Sequence, residues 1–159
     1  MKTIIIHHVQ EMWNTGLENA GTSFEEVIEK IAQHLDDNYY DKIIVTNFES
    51  HELEDCQYLF NEHCTEVYEY GYGWDAESFG LSDSNIALIE NGQSALSNYG
   101  QRVILGGSHS EVLPVDGWIE DLIGDIYICG AFDGECIDDL ETVLNGAGKK
   151  FTRIKELIV

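Results

Sequence analysis

Short runs of β-branched and apolar residues recur along this chain between stretches of helical periodicity, and that alternation restricts it to repeated β-α units around a largely parallel sheet. Four runs are apolar nearly throughout: Ile4-Ile5-Ile6, Ile43-Ile44-Val45, Val103-Ile104-Leu105 and Ile126-Tyr127-Ile128-Cys129. Strands with both faces covered read this way. Two further runs, Glu66 to Tyr70 and Lys150 to Ile154, alternate apolar with polar or charged side chains, as strands do at the rim of a sheet. Four buried strands inside and two alternating ones at the rims give the order 3-2-1-4-5-6 of a doubly wound, three-layer α/β/α fold.

The helices between them are marked by caps and spacing. Ser23 followed by Glu26 forms a capping box, and Phe24, Val27, Ile28, Ile31 and Leu35 continue at helical intervals. A second helix is expected from about Ser50, turning Leu53, Cys56, Leu59, Phe60 and His63 inward. Pro114 suits the first turn of a third, with Trp118, Ile119, Leu122 and Ile123 as its stripe. The fourth runs from about Gly134 to Ala147 and can close on Gly146 or Gly148 in a left-handed cap. Residues 71–100 are rich in glycine and read as an irregular excursion carrying one short helix on Ile86 to Ile89. With no repeat or linker in view, residues 1–159 are expected to form a single α/β domain.

Thirty Asp and Glu against eight Lys and Arg leave a formal charge of −22. Nucleic-acid binding is disfavoured, because affinity for phosphates rests on basic side chains that release condensed counterions, and docking on anionic lipid is disfavoured for the same reason. An apolar share of 43% argues against disorder. The run Thr3 to Ile6 stops at His7-His8, well short of a leader or the roughly 20 residues that a bilayer needs, so a cytoplasmic location is expected. Cys56, Cys64, Cys129 and Cys136 form no CxxC pair and read as thiols of a reducing compartment. Self-association is left open.

In open α/β sheets, ligands bind beyond the carboxyl ends of the strands. The sequence places His7 and His8 after the first strand, Asn47, Glu49 and His51 after the second, and Tyr70, Tyr72, Trp74 and Asp75 after the third. Ser108 and His109 follow the fourth, and Asp133, Glu135 and Cys136 the fifth. Asn47, Glu49, Trp74, Ser108 and Asp133 are therefore expected to line a small-molecule site. Loop enrichment in polar residues explains part of this clustering without any ligand.

The segment from Ile128 through Gly130 and Cys136 to Phe151 resembles the closing β-α-β unit of the isochorismatase-like cysteine hydrolases, in which a buried strand ends in Gly and a Cys follows six residues later at a helix start. The N-terminus is similar too: His8-Val9-Gln10 stands where that family has Asp-x-Gln after an apolar strand. The resemblance spans about 45 residues and implies a small-molecule hydrolase of the amide or C–N type. Cys136 would attack a carbonyl or amidine carbon, His8 across the same cleft would relay the proton, and backbone amides of residues 131–136 would hold the oxyanion. Two catalytic positions are changed. His8 replaces the acid, and Gly106-Gly107-Ser108 stands where a Lys is expected.

Around Cys136 the physical terms oppose each other. A helix N-terminus favours a thiolate by about 0.3 to 1 kcal/mol, whereas one carboxylate about 7 Å away costs it roughly 2.4 kcal/mol at an effective dielectric near 20, and Asp133, Glu135, Asp138 and Asp139 are all near in sequence. No organic cofactor is implied. A divalent metal on His8, His51, His109 and Asp133 is an alternative, since imidazole plus carboxylate suits zinc, manganese or iron. A non-catalytic ligand-binding or sequestering protein, such as a phage or mobile-element accessory, is another, with Tyr68, Tyr70, Tyr72 and Trp74 on alternate positions as a stacking wall.

Overall fold

A computed structural model describes residues 1–49, 65–70, 79–106 and 112–159. The helix expected from Ser50, and with it His51, Trp74, Ser108 and His109, lies outside the described residues. In chain order the strands are β1 (Lys2–His7), β2 (Lys42–Asn47), β3 (Thr65–Glu69), β4 (Ala95–Leu96), β5 (Arg102–Leu105), β6 (Val112–Pro114), β7 (Asp125–Gly130) and β8 (Phe151–Ile158). The helices are α1 (Asn14–Asn19), α2 (Phe24–Asp37), α3 (Asp83–Glu90), α4 (Gly117–Glu120) and α5 (Cys136–Gly146), with a single 3-10 turn at Glu11–Trp13. They divide into two compact units. No helix among the described residues is long and apolar enough to cross a membrane.

The first unit comprises Met1–Tyr70, Gly124–Asp133 and Phe151–Val159. Its sheet has five strands in the order β3-β2-β1-β7-β8, every neighbouring pair parallel. Ile4, Ile5 and Ile6 of the central strand are fully buried. The alternating strands β3 and β8 stand at the two ends, and on β8 Ile154 and Leu157 are buried while Thr152, Lys155 and Glu156 are exposed. Helix α2 forms because Ser23 Oγ accepts the Glu26 N–H at 3.2 Å and because Phe24, Val27, Ile28, Ile31 and Leu35 fall on one face. All five are buried in one core with Ile4, Ile6, Ile43, Val45 and Leu157, each worth about 1.5 to 3 kcal/mol.

The end of α2 carries a histidine with a consequence for stability. His34 Nε2 lies 2.7 Å from Tyr40 Oη, and Asn38 Nδ2 donates to the His34 carbonyl at 2.9 Å. Burial holds the His34 pKa below its ordinary value, against Glu156 and Asp37 and with help from Lys2. A ring that prefers the neutral form when folded contributes stability above the unfolded value, about 6.5, and loses it as the pH falls through that value toward the lower folded one. The melting temperature of His34→Gln relative to the natural chain should therefore improve between pH 7.5 and pH 5.5. A difference that stays constant with pH would mean that the ring protonates equally readily in both states.

The second unit comprises Gly71–Ile123 and Gly134–Lys150. Here the structure overturns the sequence reading. The run Val103-Ile104-Leu105 does not enter the parallel sheet, so the order 3-2-1-4-5-6 is not formed. It lies in β5, between β4 and β6 in a small antiparallel sheet. Only six residues separate β5 from β6, too few for the crossover of a dozen or more that parallel pairing needs. Pro114 does not open a helix either: it pairs with Val103 on β6, an outer strand of that sheet, where a residue without an N–H is tolerated. Between it and β7 only the four residues of α4 are helical, and Ile123 is exposed.

The excursion does carry its short helix, α3, capped by the Ser82 side chain on the Asn85 N–H, and Ile89 packs there with Ala95, Val103 and Val112. In α5, Ile137, Leu140, Val143 and Leu144 are buried. The helix stops in a Schellman arrangement: the Lys149 N–H reaches the Leu144 carbonyl at 2.8 Å and the Gly148 N–H the Asn145 carbonyl at 2.9 Å, with Gly148 at φ +69°. The Lys149 ammonium then donates to the Glu120 and Leu122 carbonyls at 2.6 and 2.7 Å, which satisfies the C-terminus of α4.

Candidate functional site

Because β1, β2, β3 and β7 run parallel, their carboxyl ends share one edge of the first unit's sheet. His7 ends β1 with Thr46 beside it on β2 and Gly130 beside it on β7. That last neighbour must be glycine. Gly130 has φ +115°, and a Cβ there would stand 2.1 Å from the His7 carbonyl oxygen. The next residue, Ala131, donates its N–H to the same oxygen at 2.9 Å.

At the edge so formed, polar groups are buried. His7, His8, Gln10, Thr46 and Asn47 are each under 5% exposed. His8 takes a left-handed backbone, φ +54°, while its N–H donates to the Thr46 carbonyl at 2.9 Å. Its Nε2 lies 2.5 Å from the Tyr70 carbonyl oxygen, and since a carbonyl only accepts, Nε2 carries the hydrogen. His7 Nδ1 lies 2.7 Å from Thr46 Oγ1. That hydroxyl donates to the Ile6 carbonyl at 3.4 Å, so it accepts from the His7 N–H. The two imidazoles stack with centroids 3.7 Å apart and planes 17° apart.

Gln10 joins β1 to β2 from outside the sheet. Its Oε1 accepts the Phe48 N–H at 2.7 Å and its Nε2 donates to the Phe48 carbonyl at 3.3 Å. The Phe48 ring is thereby set edge-on to His8, at 5.9 Å, and to Trp13, at 5.1 Å. Glu49, next in the chain, is, among the described residues, the second non-glycine residue in the left-handed region, again at φ +54°. An apolar floor lies close by: Cys129, on β7 beside Ile6, is fully buried and its thiol pKa is pushed up by that burial.

Of the residues expected to form the site, His8, Asn47 and Glu49 lie at this edge. Asp133 follows β7, but its carboxylate is held by the Arg153 guanidinium, and its main-chain N–H donates to the Val159 carbonyl at 2.6 Å. His51, Trp74, Ser108 and His109 fall outside the described residues. Cys136 belongs to the second unit, as the first residue of α5, half-buried, with Asp138 and Asp139 in the same turn. The Asp138 carboxylate accepts the Gly134 N–H at 3.2 Å. Among the described residues no group of three or more His, Cys, Asp or Glu side chains is placed to hold a metal ion.

The sequence reading placed His7 and Tyr70 at strand ends, with Tyr70 also in the stacking wall, and assigned neither Thr46 nor Phe48 to the site. A signal existed for those two: His7 and Tyr70 each stand where a carboxyl-end residue of a strand falls. Thr46 and Phe48 carry none, because their role depends on cross-strand register. No protein family, curated protein or solved structure matches this chain.

Proposed function

We propose that this chain binds a small molecule at the carboxyl ends of β1, β2 and β3, and that it is a divergent isochorismatase-like hydrolase of C–N bonds. The observation that carries the binding site is the pair of left-handed residues, His8 and Glu49, each following one of two adjacent parallel strands. Such a backbone costs about 1 to 3 kcal/mol at each residue and persists where the surroundings over-determine it, which is characteristic of ligand sites. Strand ends of a parallel sheet are also where α/β proteins bind ligands.

Hydrolysis rests on Gly130 and Cys136, which keep the six-residue spacing of the resemblance, with the cysteine opening a helix. The reaction would run through a thioester. The Cys136 thiolate attacks the carbonyl carbon, the C–N bond breaks and the amine leaves with a proton; water then cleaves the C–S bond, releasing the acid and restoring the thiol. The test is the pH dependence of iodoacetamide labelling at Cys136, read by mass spectrometry to separate it from the other three thiols. Labelling that saturates well below pH 8.5, about the value of an unperturbed thiol, is expected. An apparent pKa at or above that value would overturn the hydrolase reading.

One observation favours binding without catalysis. His8, at the position of the family's acid, has its Nε2–H committed to the Tyr70 carbonyl, and a group fixed in that way orients a site more readily than it accepts a proton at that atom. A non-catalytic binder would show Cys136 labelling like an ordinary thiol while ligand binding at the β1–β3 edge persists.

A further inference from the structure

Met12 stands at the surface on the single 3-10 turn that follows β1, yet its sulfur touches the side chain that ties β1 to β2. The chain has two methionines, Met1 and Met12, and they are similarly open to solvent, at 60% and 55% exposed. Their surroundings differ. Gln10, itself only 4% exposed, donates from Nε2 to Met12 Sδ at 3.7 Å. The same nitrogen donates to the Phe48 carbonyl at 3.3 Å, and Gln10 Oε1 accepts the Phe48 N–H at 2.7 Å. One buried carboxamide therefore joins an exposed thioether to both main-chain polar groups of Phe48, whose ring meets His8 and Trp13. Met1 precedes the other end of β1, and among the described residues no hydrogen-bond donor meets its sulfur.

We infer that Met12 is a peroxide-reactive modification site, and that its oxidation is transmitted through Gln10 to Phe48 at the β1–β2 edge. A sulfur lone pair attacks hydrogen peroxide; the S–O bond forms, the O–O bond breaks, and the second oxygen leaves as water. Sulfur is oxidised by two electrons to the sulfoxide and the peroxide is reduced by two. The thioether is a weak acceptor, whereas the new oxygen carries the negative end of a polar S–O bond and accepts strongly. It stands one bond length out from the sulfur. In the sulfoxide epimer whose oxygen faces Gln10, the amide nitrogen now 3.7 Å from sulfur comes within the ordinary N–H···O range of about 2.7 to 3.2 Å without movement of either residue. Gln10 Nε2 has two hydrogens and two acceptors, so the sulfoxide takes up one without displacing the Phe48 carbonyl from the other. A stronger pull on one end of the carboxamide reaches both of its bonds to Phe48. Neither the ligand nor the hydrolysis proposed above is needed for this.

Mild oxidation of the full-length, isotope-labelled chain by hydrogen peroxide tests this, followed by dithiothreitol, which returns sulfenic acids and disulfides to thiols and leaves sulfoxides in place. Peptide mass spectrometry reads the added oxygen at Met1 and Met12 separately, and NMR reads the amides. Both methionines should oxidise, and the Gln10 side-chain amide and the Phe48 main-chain amide should acquire shifted signals that grow in step with the Met12 sulfoxide. In Met12→Leu, which keeps an apolar side chain of similar size without the sulfur, Met1 still oxidises and those signals should stay in place. Complete oxidation of Met12 with no shift at Gln10 and Phe48 would overturn the transmission, and the same shifts appearing in Met12→Leu would overturn it too, by assigning them to another oxidised residue. A Met12 that remains a thioether while Met1 is oxidised would overturn the site itself.

Discussion

Gly130→Ala should leave little folded protein. At φ +115° an L side chain is strained whatever the space around it, and here there is no space: the added Cβ would stand 2.1 Å from the His7 carbonyl oxygen and 2.7 Å from the His7 nitrogen. Both are main-chain atoms of the central strand, so relief requires β1 and β7 to separate. A loss above about 4 kcal/mol is expected, against a total stability of about 5 to 15 kcal/mol for a domain. Urea unfolding of the purified variant measures it. Gly21→Ala is the matched control, because Gly21 also has a positive φ, +86°, but open space where a Cβ would go; it should cost about 1 kcal/mol. Equal losses at the two positions would show that backbone conformation, not the approach to His7, sets the requirement at Gly130.

Ile6→Ala comes second, at about 2 to 5 kcal/mol, with Ile6→Val at about 0.5 to 1.5. Ile6 is fully buried and lies opposite Val45 on β2 and Cys129 on β7. Truncating it opens a void that strands bonded on both sides cannot close. It also lies one residue before His7, so the void would loosen the floor under the stacked imidazoles. Chemical denaturation gives the stability. A loss below about 1 kcal/mol for Ile6→Ala would indicate that the core repacks freely and that the edge above it is not rigidly supported.

Local chemistry and the two rim strands of the parallel sheet were legible from sequence; the place of Val103 to Leu105 was not. Ser23, Glu26 and the stripe from Phe24 to Leu35 define α2 through contacts within four residues, and that helix has the expected start and the expected buried face. Strands β1, β2 and β7 are visible because three successive apolar residues in each imply cover on both sides. The same signal misplaced Val103 to Leu105. An uninterrupted apolar run says that both faces are covered but not by what, and a small antiparallel sheet with α3 and α5 nearby satisfies it as well as a large parallel one. At the site, position along the chain sufficed to bring His8, Asn47 and Glu49 to one edge. The tie between Gln10 and Phe48, and the burial of His7 against Thr46, follow from register between strands, which composition and spacing do not encode.

The order β3-β2-β1-β7-β8 has a consequence during synthesis. Strand β1 leaves the ribosome first and gains one neighbour early, since β2 follows after α2. Its other neighbour is β7, and Lys2 must wait for Asp125. Until then one side of the apolar run Ile4-Ile5-Ile6 offers unpaired amides and carbonyls, the type of edge that recruits other chains. Distant pairing of this kind also slows folding, because the long loop must close before its contacts form. Nascent or truncated chains that end before Asp125 should therefore be the aggregation-prone species of this protein.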